Sequence, residues 1–445
     1  MGKTFLLQHF FAERTEASPY CYYLADQSTA ENQRLMLAER LLETFPTPGL
    51  APYEIAATWN SLLRYFSGKV NGERAALILD EFPYLVAQSP ELPSVLQAWW
   101  DLEAIHTSAF VVLCGSQLSV MAALADETAP LHGRFNAGRL RLEPMAYVDV
   151  GAFYESAPAY GPLTKLLMYG AFGGTPRYHS LADTELAWDE QIVDLLFRPG
   201  APFEGEGRSL LASEQVRDLA PFNAILGAIA RGATRHGEIQ TASGLLGTAV
   251  SYPLNVLQEL EWIRKERSFG ETSDRRATYR IADPFLQFWY RFGAPFASAF
   301  RFEDPMAVFN ARVRPRLDEY MGRYVFEEVG DQWLRANTRE EFGASIDRIG
   351  RYWSRDGRTE IDVVAELADG RYLFAECKWS AQSQVGSGVY ASLRAKVESL
   401  PEASWRRHPV FVLFSVGGFT DELRVLAESE GNVLLVDGER LYATG

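Results

Sequence analysis

Along the first third of the chain, apolar and polar positions fall into short apolar runs separated by stretches of helix length. The runs are Tyr20-Cys21-Tyr22-Tyr23-Leu24, Ala75-Ala76-Leu77-Ile78-Leu79 and Ala109-Phe110-Val111-Val112-Leu113-Cys114, all between Gly2 and about Pro144. Continuous apolar runs of this length read as buried strands, and their alternation with helical segments predicts a parallel sheet with helices on its faces. Each run releases polar residues at its carboxyl end, Asp80-Glu81 after the second and Gly115-Ser116 after the third. That end is where open sheets of this kind hold ligands.

Beyond Pro144 the rhythm changes. Leu163 to Pro221 reads as helical, with turns expected at Gly170, Gly173-Gly174 and Pro199-Gly200. Phe222–Ala230 and Gly237–Leu245 then predict two helices. Thr248 is placed to cap a third, whose Val250, Leu254, Leu257 and Leu260 recur at helical spacing. Strand Trp262–Phe269, a turn at Gly270–Asp274 and strand Ala277–Ile281 predict a hairpin. The aromatic stretch Phe285–Phe300, interrupted by Arg291, reads as a buried seam, and Asp304 to about Met321 as helix.

The last third carries a second hairpin, Glu360–Leu367 and Arg371–Lys378, around the turn Ala368-Asp369-Gly370. A three-residue hairpin loop favours glycine at its left-handed last position, which sets Leu367 opposite Arg371. Counting back places Asp362 opposite Glu376 and Glu360 opposite Lys378. Ile361, Val363 and Ala365 then share an apolar side with Leu373, Ala375 and Cys377. Like charges directly across a strand pair are destabilising, so Asp362 and Glu376 call for a cation. Two carboxylates with carbonyl or water oxygens suit Mg²⁺ or Mn²⁺, beside which Lys378 can orient or activate water at a phosphodiester. The hairpin resembles that of restriction-endonuclease-like folds, which often add an acid from a preceding helix; this implies Glu327 or Glu328, with Glu327 preferred. The alternative is a hairpin whose charges are simply paired and solvated. Val410–Phe414, Asp421–Glu428 and Val433–Val436 complete an α/β core.

Composition narrows the classes. A chain of 445 residues, 47% hydrophobic and 23% charged, is long enough for two to four domains and is not disordered. A net charge of −15 excludes indiscriminate coating of nucleic acid, so any such contact needs a local basic patch. Arg264, Lys265, Arg267, Arg275, Arg276 and Arg280 of the middle hairpin supply one. Cys21, Cys114 and Cys377 lack metal-ligand spacing. With no signal peptide and no membrane-length apolar run, a cytoplasmic location is the expectation.

The chain opens on Gly2-Lys3-Thr4 followed at once by an apolar helix, which is the back half of a phosphate-binding loop. In such a loop backbone N–H groups cradle phosphates, the lysine reaches the β and γ phosphates and the hydroxyl holds Mg²⁺. Asp80 after a buried strand can hold the same Mg²⁺, and Glu81 can orient and deprotonate an attacking water. Ser116 falls on a neighbouring strand end, placed either to sense the γ phosphate or to cap the next helix. The strand and first glycine of the loop are expected upstream of Met1, with the start assigned too late within the loop.

Together, Gly2-Lys3-Thr4, Leu77–Phe82, Cys114-Gly115-Ser116, Leu131–Arg134 and Gly173–Tyr178 resemble, in order, the motifs of archaeal-type AAA+ ATPases. These are P-loop proteins with a winged helix and a C-terminal restriction-endonuclease-like domain. Asp362…Glu376-Cys377-Lys378 resembles the PD-(D/E)xK arrangement, with Ile361 in place of the proline. The resemblance implies an α/β fold: a P-loop AAA+ core over residues 1–160, a helical lid at 161–220 and a winged helix at 221–285. A helical linker at 286–319 and an endonuclease-like domain at 320–445 follow. It implies ATP and Mg²⁺ as cofactors, with Gly2, Lys3, Thr4, Asp80, Ser116 and Arg177 around the nucleotide. Glu81 and Arg134 would be catalytic, Arg134 stabilising the transferring phosphoryl group and Arg177 acting as a lid sensor. Thr4 and Asp80 would hold metal in the first site, and Asp362, Glu376 and Glu327 in the second, where Lys378 is catalytic. The expected function is an ATPase whose nucleotide state drives a DNA-binding, metal-dependent nuclease domain. The alternative is an ATP-dependent switch or scaffold that binds DNA or a partner without cutting. DNA is the expected partner, through the hairpin and the C-terminal domain, with homo-oligomers allowed and no membrane.

Overall fold

The computed structural model describes residues 2–12, 19–70, 74–214, 216, 218–381 and 383–443. The chain divides into two compact units, Met1–Glu143 and Pro144–Gly445.

In the first unit, β1 (Tyr20–Leu24), β2 (Ala75–Asp80) and β3 (Ala109–Leu113) form a parallel sheet in that spatial order. Leu24 pairs with Asp80 and Leu79 with Leu113, so the three carboxyl ends lie level. As the central strand, β2 is buried along its whole length. Its side chains alternate between two faces. Leu77 and Leu79 join a large core with the helices Ala30–Thr44, Trp59–Lys69 and Leu92–Leu102, through Leu41, Phe66 and Trp99. Ala76 and Ile78 form a small cluster with Phe11 and Leu7 of the Lys3–Ala12 helix, together with strand residues. The β3 run is as apolar as β2 but lies at the sheet edge, where Phe110 stays 43% exposed.

The second unit is built on a mixed sheet of five strands in the order β10-β9-β8-β7-β6. These are β6 (Ile346–Trp353), β7 (Glu360–Leu367), β8 (Tyr372–Lys378), β9 (Val410–Ser415) and β10 (Val433–Asp437). β6, β7 and β8 run antiparallel in succession, while β8, β9 and β10 are parallel. The expected hairpin register is found: Val363 pairs with Ala375 and Glu366 with Tyr372, the same count that sets Asp362 against Glu376 one step on. The Glu327–Phe342 helix packs Val329, Trp333 and Leu334 into the core that holds Val363, Ala375 and Phe414. The Ser387–Glu398 helix sends Tyr390, Leu393 and Val397 into the core of Val364, Phe374 and Phe411.

Between Pro144 and this sheet the chain is mostly helical, and three expectations are corrected. Gly170 makes no turn: the Pro162–Phe172 helix runs through it, and a Cβ there would lie 2.6 Å from Met321 Sδ, so glycine serves close packing. The turn comes at Gly173, whose φ of +63° suits glycine. Thr248 sits inside the short helical turn Gly247–Val250 and does not cap the Ser251–Glu259 helix. The segment 286–319 is largely helical, and Phe285 and Phe300 at the ends of the aromatic seam are buried, both as expected, but it does not stand apart as a linker. Phe288, Phe292, Phe309 and Val313 are fully buried in the same core as Phe222, Leu257 and Val329, so lid, three-helix and sheet segments share one interior.

The hairpin after Ser251–Glu259 is β4 (Ile263–Glu266) with β5 (Thr278–Ile281), pairing Arg264 with Arg280. It is shorter than the apolar pattern predicts, because Ser268 and Phe269 leave it to bond the edge of β6. The Phe269 N–H donates to Arg351 O at 2.7 Å, and the Ser268 hydroxyl donates to Trp353 O at 2.8 Å. Among the described residues, no helix is long and apolar enough to cross a membrane.

Candidate functional site

Two acidic sites emerge, one in each unit. In the first, β2 delivers Asp80 to the start of the Lys3–Ala12 helix, after Gly2 with its positive φ of 73°. Thr4 Oγ1 donates to Asp80 Oδ2 at 2.8 Å, and the Tyr22 hydroxyl, from β1, donates to the same oxygen at 2.7 Å. The Glu81 N–H donates to Asp80 Oδ1 at 2.9 Å. Burial pushes the Asp80 carboxyl up, but hydrogen bonds from Tyr22, Thr4, Cys114 and the Glu81 N–H outweigh it. The group is held below the usual carboxylate range. Asp80 therefore keeps its negative charge at 1% exposure with hydroxyl partners and no ion pair among the described residues.

Glu81 has φ of +52°, a left-handed conformation that costs a non-glycine residue energy and clusters at functional positions. Its carboxylate accepts from Ser116 Oγ at 2.8 Å, across from the end of β3. The structure thus brings together Thr4, Asp80, Glu81 and Ser116 from three separated stretches of sequence. A threonine hydroxyl and a buried carboxylate within hydrogen-bond reach form a hard-oxygen pair that fits Mg²⁺. Lys3 opens the helix beside them.

The Arg134 guanidinium forks onto Asp101, at 2.9 and 2.7 Å, and donates to the carbonyls of Pro130 and His132. In this structure its charge is thus spent on a surface ion pair. Arg177 lies on the short Pro176–Ser180 helix, in the second unit.

At the second site, β7 and β8 present Asp362 and Glu376, and the Glu327–Phe342 helix begins at Glu327. Asp362 accepts the Cys377 N–H at 2.8 Å and forms no ion pair among the described residues. Burial, then the negative charges of Glu327 and Glu376, push its carboxyl up to about 7. Glu376 is clamped twice, by Lys378 Nζ at 2.7 Å and by Lys396 Nζ at 2.9 and 3.0 Å. Burial lowers Lys378, but its bond to Glu376 and the charge of Asp362 raise it above the ordinary lysine value. Lys378 is therefore held as an ammonium in this arrangement.

Glu327 is committed elsewhere. Arg280 of β5 reaches it at 3.1 Å and Arg351 of β6 at 3.0 Å, in a pair whose Arg280 and Glu327 side chains are 15% and 12% exposed. Arg351 also meets Glu360 at 3.1 Å, and Arg264 meets Glu328 at 3.0 Å. The three-acid metal set expected from Glu327, Asp362 and Glu376 is corrected accordingly. Among the described residues no group of three or more His, Cys, Asp or Glu is disposed to hold a metal ion. Asp362 and Glu376 still fit a divalent ion as a two-carboxylate set, since Asp362 has no cation of its own among the described residues and feels the charges of Glu327 and Glu376.

The hairpin cations expected to face phosphates are mostly paired inside the chain. Lys265 and Arg267 meet Asp274, Arg276 meets Glu271, and Arg264 and Arg280 meet the two glutamates above. A groove of 880 Å³ nevertheless runs from this hairpin to the edge of β6, and Lys265, Arg267, Arg335, Arg339 and Arg348 line it against Glu271 and Asp347. Arg339 is exposed and makes no ion pair among the described residues. Tyr22 as a site residue, Lys396, Arg351 and the groove residues Arg335, Arg339 and Arg348 were absent from the sequence reading. Nothing in their local spacing marks them, because each acts through a tertiary contact.

Residues 1–178 match the family described as an ATPase domain predominantly from Archaea. The N-terminal part of the chain is thus similar to archaeal ATPase domains. Residues 289–388, which include Glu327, Asp362, Glu376 and Lys378, match the family described as Archaea bacterial proteins of unknown function. An uncharacterized protein of Methanocaldococcus jannaschii is 28% identical over 332 residues, covering 72% of this chain and 70% of the relative. Among solved structures, a Walker-type ATPase of Pyrococcus abyssi is similar with a TM-score of 0.48 and 18% identity, over 65% of this chain and 88% of that one. The ORC1 protein of Aeropyrum pernix in complex with DNA is similar with a TM-score of 0.32 and 15% identity, over 67% of this chain and 85% of that one. Both likenesses are too distant to bear on this chain's ligands.

Proposed function

We propose that the chain binds and hydrolyses ATP with Mg²⁺ at Thr4, Asp80, Glu81 and Ser116, and couples that cycle to a DNA-binding domain with a metal-dependent nuclease site. The observation that carries the ATPase reading is the 2.8 Å hydrogen bond from Thr4 Oγ1 to Asp80, joined by the 2.8 Å bond from Ser116 to Glu81. Lys3 and the Gly2 backbone would bind the phosphates, Thr4 and Asp80 would hold Mg²⁺, and Glu81 would orient and deprotonate the attacking water. Bound Mg²⁺ would supply charge neutralisation between the phosphates. The helices and hairpin of residues 221–285 are read as a winged helix, and residues 320–445 as a restriction-endonuclease-like fold. In the latter, Asp362 and Glu376 would hold Mg²⁺ or Mn²⁺ and Lys378 would steady the phosphodiester. The basic groove on β6 supports a phosphodiester strand as the partner, through phosphate contacts that position it without reading sequence.

The second reading is an ATP-driven switch that binds DNA without cutting. Its specific support is that Glu327 and Glu376 already carry cations. The test is purified protein with Mg²⁺ or Mn²⁺ and linear, branched or single-stranded DNA. Cleavage abolished by Asp362→Ala supports the nuclease, while absence of cleavage, or cleavage that survives this change, leaves the switch. ATP turnover that is unchanged by Asp80→Ala excludes the N-terminal site.

A further inference from the structure

The Ser387–Glu398 helix has no part in the sequence motif, yet its last turn reaches the centre of the carboxylate site. Leu393 and Val397 are buried against the sheet, and Lys396 between them sends its ammonium to both oxygens of Glu376, at 3.0 and 2.9 Å. Glu376 is 8% exposed at its side chain and already holds Lys378 at 2.7 Å. One buried carboxylate therefore carries two ammonium groups, while its neighbour Asp362 carries none. Charge-assisted hydrogen bonds of this kind are the strong ones, so the asymmetry is held in place by the fold.

From this we infer that Lys396 is a positioning residue that guards Glu376 against a metal ion until a phosphodiester arrives. The inference rests on the reading of Asp362 and Glu376 as metal ligands. With Asp362 ionised, the two carboxylates and two ammonium groups sum to zero charge. A doubly charged ion added to that set leaves it doubly positive, which disfavours loading of the empty site. A phosphodiester and an attacking hydroxide carry the two negative charges that restore balance. Lys396 must then swing from Glu376, and the phosphate is the nearest new partner its charge would seek. Metal loading becomes conditional on substrate, which would keep the site quiet in a cell rich in Mg²⁺.

The experiment is Mn²⁺ binding to the intact chain without DNA, read by electron paramagnetic resonance in an Asp80→Asn background that removes the N-terminal site, for otherwise unchanged chain, Lys396→Met, Lys396→Arg and Asp362→Asn. Removing the competing charge-assisted bond in Lys396→Met should tighten Mn²⁺ about tenfold. Lys396→Arg keeps the cation and should bind like the otherwise unchanged chain, whereas tighter binding in Lys396→Met is an outcome a merely structural role for Lys396 does not predict. If Lys396→Met does not fold, Lys396→Gln carries the same expectation. Equal or weaker Mn²⁺ binding in the neutral variants, with binding still lost in Asp362→Asn, overturns the guarding role alone. No Mn²⁺ binding in any form, or binding that survives Asp362→Asn, overturns the metal reading and this inference with it.

Discussion

The two acidic sites solve the same problem in opposite ways. Asp80 is buried and charged, and its partners are the hydroxyls of Thr4 and Tyr22. Glu376 is buried and Glu327 half-buried, and their partners are Lys396, Lys378, Arg280 and Arg351. A hydroxyl lowers the cost of burying a carboxylate without cancelling its charge, so a divalent ion still finds a full negative charge to bind. An ammonium or guanidinium cancels it. On the proposed reading, the N-terminal site would take a metal ion in its resting state, whereas the C-terminal site would first have to exchange one cation for another.

The largest effect that can break this comparison is kinetic. Glu81→Gln keeps the shape and the Ser116 contact but removes the base, and a positioned general base contributes about 100-fold or more to rate. Phosphate release should fall by that factor while nucleotide binding is kept. Turnover within a fewfold of wild type would remove Glu81 from the chemistry and leave the poised site without a function.

Next comes the cation side. Arg280→Ala strips one partner from a mostly buried pair, which costs about 3–5 kcal/mol when no other partner remains. Arg351 remains on Glu327, so about 2–3 kcal/mol is expected in chemical denaturation. Replacing both members, as Arg280→Met with Glu327→Gln, should cost less than the two single changes summed, because neither leaves a naked charge. A loss below about 0.5 kcal/mol for Arg280→Ala would class the pair with solvated surface bridges.

Asp362 gives the pH test. Its carboxyl holds a proton up to about 7 in the folded chain, whereas an unfolded aspartate loses it near 4. The folded state binds the extra proton between those values, so its stability falls as pH climbs from about 4 to 7 and the loss is complete above. Asp362→Asn removes that loss. The variant should exceed wild type by about 2 kcal/mol at pH 8, discounted for partial solvent access, and match it below pH 4. A constant difference across this range would assign the effect to something other than titration. Mn²⁺ should narrow the gap at pH 8 if it binds Asp362.

Much of this was legible in sequence where the signal is local. β1, β2, β3 and the β7–β8 register follow from apolar runs and one glycine turn, and Thr4, Asp80 and Ser116 from their positions at element ends. What was hidden depends on partners far away in the chain. Gly170 reads as a turn until Met321 is seen against it. Arg280 and Arg264 read as free cations until Glu327 and Glu328 meet them. β6 escaped notice because its polar residues and Gly350 break the alternation, and its pairing with β7 is interrupted by two register shifts. Lys396 sits in a helix whose spacing says only that one side is apolar.

The smallest effect is the most direct test of the hydroxyl principle. Tyr22→Phe deletes one of the two hydroxyl donors to Asp80 and leaves the ring packed near Ile78. A hydrogen bond to a charged group is worth about 1.5–3 kcal/mol, and with Thr4 and the Glu81 N–H still in place about 1 kcal/mol is expected. The sign with pH is fixed by the depressed Asp80 carboxyl. Its stabilisation is present above the unfolded value near 4 and is lost as acid protonates it in the folded state. Without the Tyr22 hydroxyl the folded carboxyl is less depressed, so the variant should lose stability at a higher pH than wild type on acidification. The two should then converge once Asp80 is protonated in both. A cost that is the same at pH 7 and pH 2 would mean that Tyr22 contributes packing alone, and the contrast between hydroxyl-held and cation-held carboxylates would rest on Thr4.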